Sequence, residues 1–182
     1  MKYLLISMLL MSCNAPQSNK VVAPGLDATT TTTQPTVSTD TIVPAQFDAT
    51  GQLVKVVKTK EAWKSQLTAQ EFDVLREEGT ERSFTGDLVN NHEKGTFVCA
   101  ACGLPLFSSD AKFESGTGWP SFFQPIKPEY VKINTDTKYG MVREEVECAR
   151  CGGHQGHVFN DGPEPTGLRY CINSVSLNFV KN

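Results

Sequence analysis

Two short segments of this chain are near copies of each other: Cys99-Ala100-Ala101-Cys102-Gly103 and Cys148-Ala149-Arg150-Cys151-Gly152. Forty-five residues lie between Cys102 and Cys148. Two C-x2-C pairs at such a separation fit a tetrahedral zinc site with four thiolate ligands, Cys99, Cys102, Cys148 and Cys151. The glycine after each second cysteine permits the left-handed backbone a tight thiolate turn needs. With four sulfurs and no histidine inside either turn, no coordination position stays open, so the site is structural and ties two distant parts of the fold together. Paired disulfides are the competing reading, since exported chains meet oxidising conditions. A C-x2-C can also be a redox pair, but neither segment sits at the strand-to-helix junction of a βαβ unit.

The start of the chain raises the question of export. Met1-Lys2-Tyr3 precedes a mostly apolar run from Leu4 to Met11, then Ser12-Cys13. A basic start, a short apolar stretch and a small residue describe an export signal. The run falls well short of the roughly 20 apolar residues that span a bilayer. Leu10-Met11-Ser12-Cys13 looks like a lipobox, with Cys13 as the lipidated first residue of the mature chain. Residues 1–13 are then the signal, and membrane contact is made only through a lipid anchor. A plain secretory signal is the alternative. The expected location is the bacterial cell envelope, facing the periplasm or the outside. Residues 14–58 form a tether, with the run Thr29 to Thr33 and prolines at 16, 24, 35 and 44. So little apolar surface does not offset the entropy of ordering it. A glycosylated stalk remains open.

The rest, residues 59–182, reads as one domain. Its net charge belongs to a chain total of −3, which argues against a nucleic-acid partner. Glu61 to Leu67 predicts a short helix, with Leu53 to Val57 before it as a short strand or an approach. Thr68-Ala69-Gln70-Glu71 predicts a capping box opening a second helix, with Gly79 as its C′ residue. Beyond Glu81 short β-type runs take over: Thr96–Val98, Tyr130–Ile133, Met141–Val146, Arg169–Ile172 and Val175–Val180. The expected fold is mainly β, a small antiparallel domain with a short helical N-terminal segment and a four-cysteine zinc site.

One thiol remains for chemistry. In Arg169-Tyr170-Cys171-Ile172-Asn173 strand alternation puts Arg169, Cys171 and Asn173 on one face. The guanidinium favours the thiolate, and the apolar phase changes after Asn173, which predicts a bend there. A buried, inert thiol is the other reading. His154 and His157 follow the second cysteine pair; either can move a proton near neutral pH, or brace the metal turn. His92 lies in a polar loop and is read as a surface residue. Trp119, in Gly116-Thr117-Gly118-Trp119-Pro120, belongs either to the core or to a pocket.

Taken together, Arg82-Ser83-Phe84-Thr85-Gly86, Cys99-x2-Cys102-Gly103-x-Pro105-Leu106-Phe107, Ser115-Gly116-Thr117-Gly118-Trp119-Pro120-Ser121-Phe122, Cys148-x2-Cys151, His154-x-Gly156-His157-Val158-Phe159, Asp161-Gly162-Pro163 and Arg169-Tyr170-Cys171-Ile172-Asn173-Ser174 resemble the B-type methionine sulfoxide reductases. The resemblance covers about residues 60 to 181. It implies strongly curved antiparallel sheets, one structural zinc per chain and no organic cofactor. It implies reduction of the R epimer of methionine sulfoxide in proteins, with Cys171 attacking the sulfoxide sulfur and becoming a sulfenic acid. His157, with His154, matches the family's acid and positioning pair; Trp119 and Phe159 would enclose the substrate methyl group; Arg169 and Asn173 would hold the polar network around sulfur and oxygen.

In one respect the chain departs from many members of that family. Neither Arg82-Ser83-Phe84-Thr85-Gly86 nor Ser115-Gly116-Thr117-Gly118-Trp119 offers a resolving cysteine. The expectation is a one-cysteine cycle, closed by a thioredoxin-like or other external thiol reductant. Two readings from other classes stand beside it. A cysteine hydrolase gives Trp119 no role, and a non-catalytic zinc module predicts that Cys171 is dispensable.

Overall fold

A computed structural model describes residues 42–182. Cys13, the signal and the tether up to residue 41 lie outside the described residues. Two helices come first, α1 (Lys60–Gln66) and α2 (Ala69–Glu77). The capping box opens α2 as expected: the Thr68 hydroxyl accepts from the Glu71 N–H, and the Glu71 carboxylate accepts from the Thr68 N–H. Its C-terminal end differs. The left-handed residue is Glu78, with φ 60°, while Gly79 meets a different demand, because a Cβ there would lie 2.2 Å from Asp73 Oδ2.

Among the described residues nine strands follow: β1 (Gly95–Cys99), β2 (Pro105–Ser108), β3 (Lys112–Phe113), β4 (Ser121–Phe122), β5 (Val131–Asp136), β6 (Arg143–Cys148), β7 (His154–Phe159), β8 (Arg169–Ile172) and β9 (Leu177–Lys181). They form a three-stranded sheet in the order β2-β1-β9 and a six-stranded sheet in the order β3-β4-β8-β7-β6-β5. All pairings are antiparallel. The expected bend after Asn173 is a 3₁₀ turn, Ser174–Ser176, through which the chain leaves the larger sheet and enters the smaller one as β9.

The core lies where aromatic side chains of the two sheets meet. Phe97 of β1 packs edge-on to Phe122 of β4 at 5.0 Å between ring centres, and Phe107 of β2 stacks on Phe122 at 4.4 Å. Tyr170 and Ile172 of β8, on the face opposite Cys171, are buried in the same cluster. The helix pair covers the second cysteine turn. Arg76 of α2 lies over the Trp63 ring and donates to the Cys151 carbonyl.

Leu53 to Val57 forms no strand, only an isolated bridge between Leu53 and Phe47. The chain around it is nonetheless docked on the domain. Val43 N–H donates to the Gly103 carbonyl, Val56 N–H to the Arg150 carbonyl, and the buried Arg150 guanidinium donates to the carbonyls of Val43, Pro44 and Cys102. Among the described residues no helix is long and apolar enough to cross a membrane.

Candidate active site and metal centre

The cysteine turns sit at the ends of β1 and β6. In the first, Gly103 N–H donates to the Cys99 carbonyl; in the second, Gly152 N–H donates to that of Cys148, each at 2.8 Å. Both glycines are left-handed, with φ 71° and 65°, as the turns require. The four sulfurs all lie within 4.8 Å of one another, with Cys99–Cys151 at 3.7 Å and Cys102–Cys148 at 3.5 Å. A disulfide needs about 2.05 Å. A tetrahedron of sulfurs around an ion at about 2.3 Å has edges of about 3.8 Å. The donor set and its dimensions therefore suit one metal ion. The shell is finished by Gln155, whose side-chain amide donates to Cys99 Sγ at 3.6 Å.

Cys171 lies in the middle of the larger sheet, and strand register decides its neighbours. It pairs with Ser121 of β4 on one side and with His157 of β7 on the other. The approach of β7 to β8 is very close at Gly156, where a Cβ would fall 2.0 Å from the Cys171 carbonyl oxygen. A cavity of about 140 Å³ opens over this point, lined by Cys171, His157, Trp119, Phe159 and Asn173, together with Thr80, Arg143 and Gly156. Such a volume accepts one side chain with two aromatic walls.

The other expected residues stand just behind it. Arg169 holds Asp161 through two hydrogen bonds, 2.9 and 2.8 Å, and lies over the Phe159 ring at 4.5 Å. His154 does not line the cavity. It is buried, its Nδ1–H donates to Glu145 Oε1 at 2.6 Å, and its ring meets that of His157 edge-on at 5.4 Å. His92 is exposed.

Burial pushes the Cys171 thiol above its ordinary range; the Thr117 hydroxyl, 3.8 Å from Sγ, and Arg169 pull it back. The expected effect of the guanidinium is present, but desolvation outweighs it. Burial also lowers His157, against the opposing pull of Asp136. Asp136 itself is held well below the usual carboxylate range, first by the Lys138 backbone N–H and then by His157 and Arg143. An ionised carboxylate only accepts, so at 3.0 Å His157 Nε2 carries the proton given to Asp136 Oδ2. The remaining ring nitrogen, Nδ1, is then the unprotonated one in the neutral ring. At neutral pH the resting pair is thus a thiol and a neutral imidazole.

Asp136, Glu145, Arg143, Thr117 and Glu81 were not singled out from sequence. Asp136 lies twenty-one residues from His157, and only the pairing of β5, β6 and β7 makes them neighbours. Thr117 sits in a segment marked for its glycines and Trp119, and its hydroxyl carried no signal of its own.

Residues 67–181 match the SelR domain. Peptide methionine sulfoxide reductase MsrB of Leptospira interrogans is 60% identical over 127 residues, 70% of this chain and 97% of that protein. Proteins of the same name from Methanosarcina mazei (61% over 127 residues, 70% of this chain and 91% of that protein) and Thiobacillus denitrificans (57% over 122 residues, 67% and 92%) are similar. The matched stretch runs through both cysteine turns, both walls of the cavity and Cys171, and the chain belongs to the SelR-domain family of MsrB methionine sulfoxide reductases.

Proposed function

We propose that this protein reduces the R epimer of methionine sulfoxide in proteins to methionine, with Cys171 as nucleophile. The observation that carries the reading is the register of β8 and β7, which sets Cys171 beside His157 at the floor of a cavity walled by Trp119 and Phe159. The sulfoxide's methyl group packs between the aromatic rings, and Asn173 holds the oxygen by hydrogen bonding. Cys171 gives its proton to His157 Nδ1, and the resulting thiolate attacks the sulfur. An S–S bond forms, His157 returns the proton to the oxygen, and as that oxygen moves from the methionine sulfur to the Cys171 sulfur both the S–O and the S–S bonds break, which releases methionine. Methionine sulfur is reduced by two electrons, and Cys171 is oxidised by two to a sulfenic acid. No proton is imported, which suits a pair that rests neutral. His154, held by Glu145, orients the His157 ring from behind, and Arg169, held by Asp161, stabilises the thiolate as it forms.

The cycle closes with an external dithiol. One thiol displaces the sulfenic oxygen as water and forms a mixed disulfide; the second releases Cys171. In support, the other cysteines among the described residues are the four of the metal cluster, and Thr117 rather than a cysteine stands 3.8 Å from Cys171 Sγ. The ion in the cluster is zinc, with a structural role, held by Cys99, Cys102, Cys148 and Cys151. Lipidation at Cys13, a tether from residue 14 up to the strap that docks on the domain from Val43 onward, and a place in the bacterial envelope complete the reading, with a thioredoxin-like donor fed across the membrane.

The one-cysteine cycle is tested by mass spectrometry after a single turnover without reductant. A dimedone adduct on Cys171 is expected; a disulfide between Cys171 and another cysteine of the same chain would overturn it.

A further inference from the structure

Between α2 and β1 the chain crosses a long loop, residues 78–94, in which Glu81 is the only buried residue. Loops are ordinarily pinned by an apolar side chain, because a buried carboxylate is costly unless every oxygen is satisfied. Here both are. Glu81 accepts from the Ser174 N–H through Oε1 at 2.6 Å and from the Val175 N–H through Oε2 at 2.9 Å. Those N–H groups belong to the 3₁₀ turn that directly follows Asn173.

The backbone of Glu81 makes two more bonds, both to cavity residues. Its N–H donates to Asn173 Oδ1 at 3.1 Å, and its carbonyl accepts from Trp119 Nε1–H at 3.2 Å. The other end of the Asn173 amide donates to the Gln155 carbonyl at 3.0 Å. The loop folds back closely over this point. A Cβ on Gly86 would lie 2.3 Å from Ser174 Cβ and 2.9 Å from Glu81 Oε1.

We propose that Glu81 is a positioning residue: its carboxylate clamps the turn after Cys171, and its backbone thereby fixes the Asn173 amide and the Trp119 indole against the cavity. The inference rests on the reductase reading of that cavity. It assigns the loop a part in substrate placement, although only Thr80 of its residues lines the cavity. An apolar residue at 81 could pin the loop but could not hold the two N–H groups of the turn.

The full chain with its metal is the material for the test. One readout is the exchange with water of the Trp119 indole proton, assigned by comparison with Trp119→Phe. The other is kcat on N-acetyl-methionine R-sulfoxide amide with dithiothreitol. For Glu81→Ala, indole exchange should accelerate and kcat should fall by roughly ten- to a hundredfold, as for displaced catalytic groups. Acting through Asn173, Glu81→Ala combined with Asn173→Ala should lose no more than the worse single variant, within about twofold. Losses that multiply would overturn the proposal, because they would mean that Glu81 does not act through Asn173. If Glu81→Ala does not fold, Glu81→Gln carries the test: it leaves one turn N–H unpaired and should move both readouts the same way, and wild-type values in both would overturn the clamp. Should the wild type itself not turn over the R sulfoxide, the reductase reading falls, and indole exchange alone decides whether the clamp exists.

Discussion

The molecule treats its cysteines in two ways. At the ends of β1 and β6 four sulfurs crowd within 4.8 Å of one another, three of the cysteines buried and Cys102 half-buried. On β8 a single sulfur sits at the floor of a cavity with a hydroxyl at 3.8 Å and no second thiol among the described residues beside it. The same side chain is placed to ligate a metal in one place and is the proposed nucleophile in the other, and the backbone decides which. Tight glycine turns supply sulfurs in pairs, so their charge is shared with a metal. A strand supplies them singly, with alternation setting what stands beside each one. The cluster trades reactivity for rigidity, and Cys171 is left partly exposed and protonated at rest.

That contrast can be broken from either side. The largest effect is expected at the cluster. Cys148→Ser should release the metal and cost more than about 4 kcal/mol of stability, the range reached when a structural metal is lost, measured by metal analysis and denaturant melts. An unchanged melt would mean that the four sulfurs do not hold the fold together. Next, Gly156→Ala should cost about 1–3 kcal/mol or more, because overpacking at the β7–β8 contact cannot be relieved by backbone; thermal unfolding checks it.

Smaller effects sharpen the picture at Cys171. Asp136→Asn removes the group that supports the His157 imidazolium, so His157 falls further below its ordinary value. The acid limb of the pH–rate profile should move to lower pH, and kcat at pH 7 should drop by roughly tenfold, a typical share for general acid–base assistance. The same change bears on stability. A carboxyl held low in the fold contributes fully above its unfolded value, about 3.9, and the contribution fades as pH falls toward the folded one. The variant should lose that acid-dependent part. Finally, Arg169→Leu removes a cation that favours the Cys171 thiolate. The midpoint for alkylation of Cys171 should rise, and alkylation at pH 7 should slow several-fold; an unchanged midpoint would confine Arg169 to packing on Phe159.

Much of this was legible in the sequence where the signal is local. Paired cysteines with a following glycine, the Thr68–Glu71 capping box and the alternation through Arg169, Cys171 and Asn173 each depend on a few neighbouring residues. The bend after Asn173 was visible as a change of apolar phase. What escaped depends on pairing between distant strands. β7 carries glycine, histidine and glutamine where a strand usually carries branched residues, and it is a strand because β6 and β8 flank it. The short strands β3 and β4 have too few residues to show a period. Met141 and Val142 were assigned to a strand on their apolar character, yet β6 starts only at Arg143. The carboxylates that tune the histidines lie on β5 and β6, so nothing near the histidines announces them.

The most direct measurement is turnover of separated R and S methionine sulfoxide peptides with dithiothreitol, for the wild type and for Cys171→Ser, with metal content verified in both. The account predicts activity on the R epimer alone, abolished by the substitution while the metal and the fold are retained. Equal turnover in Cys171→Ser, or none on either epimer by a folded and metal-loaded wild type, would contradict it.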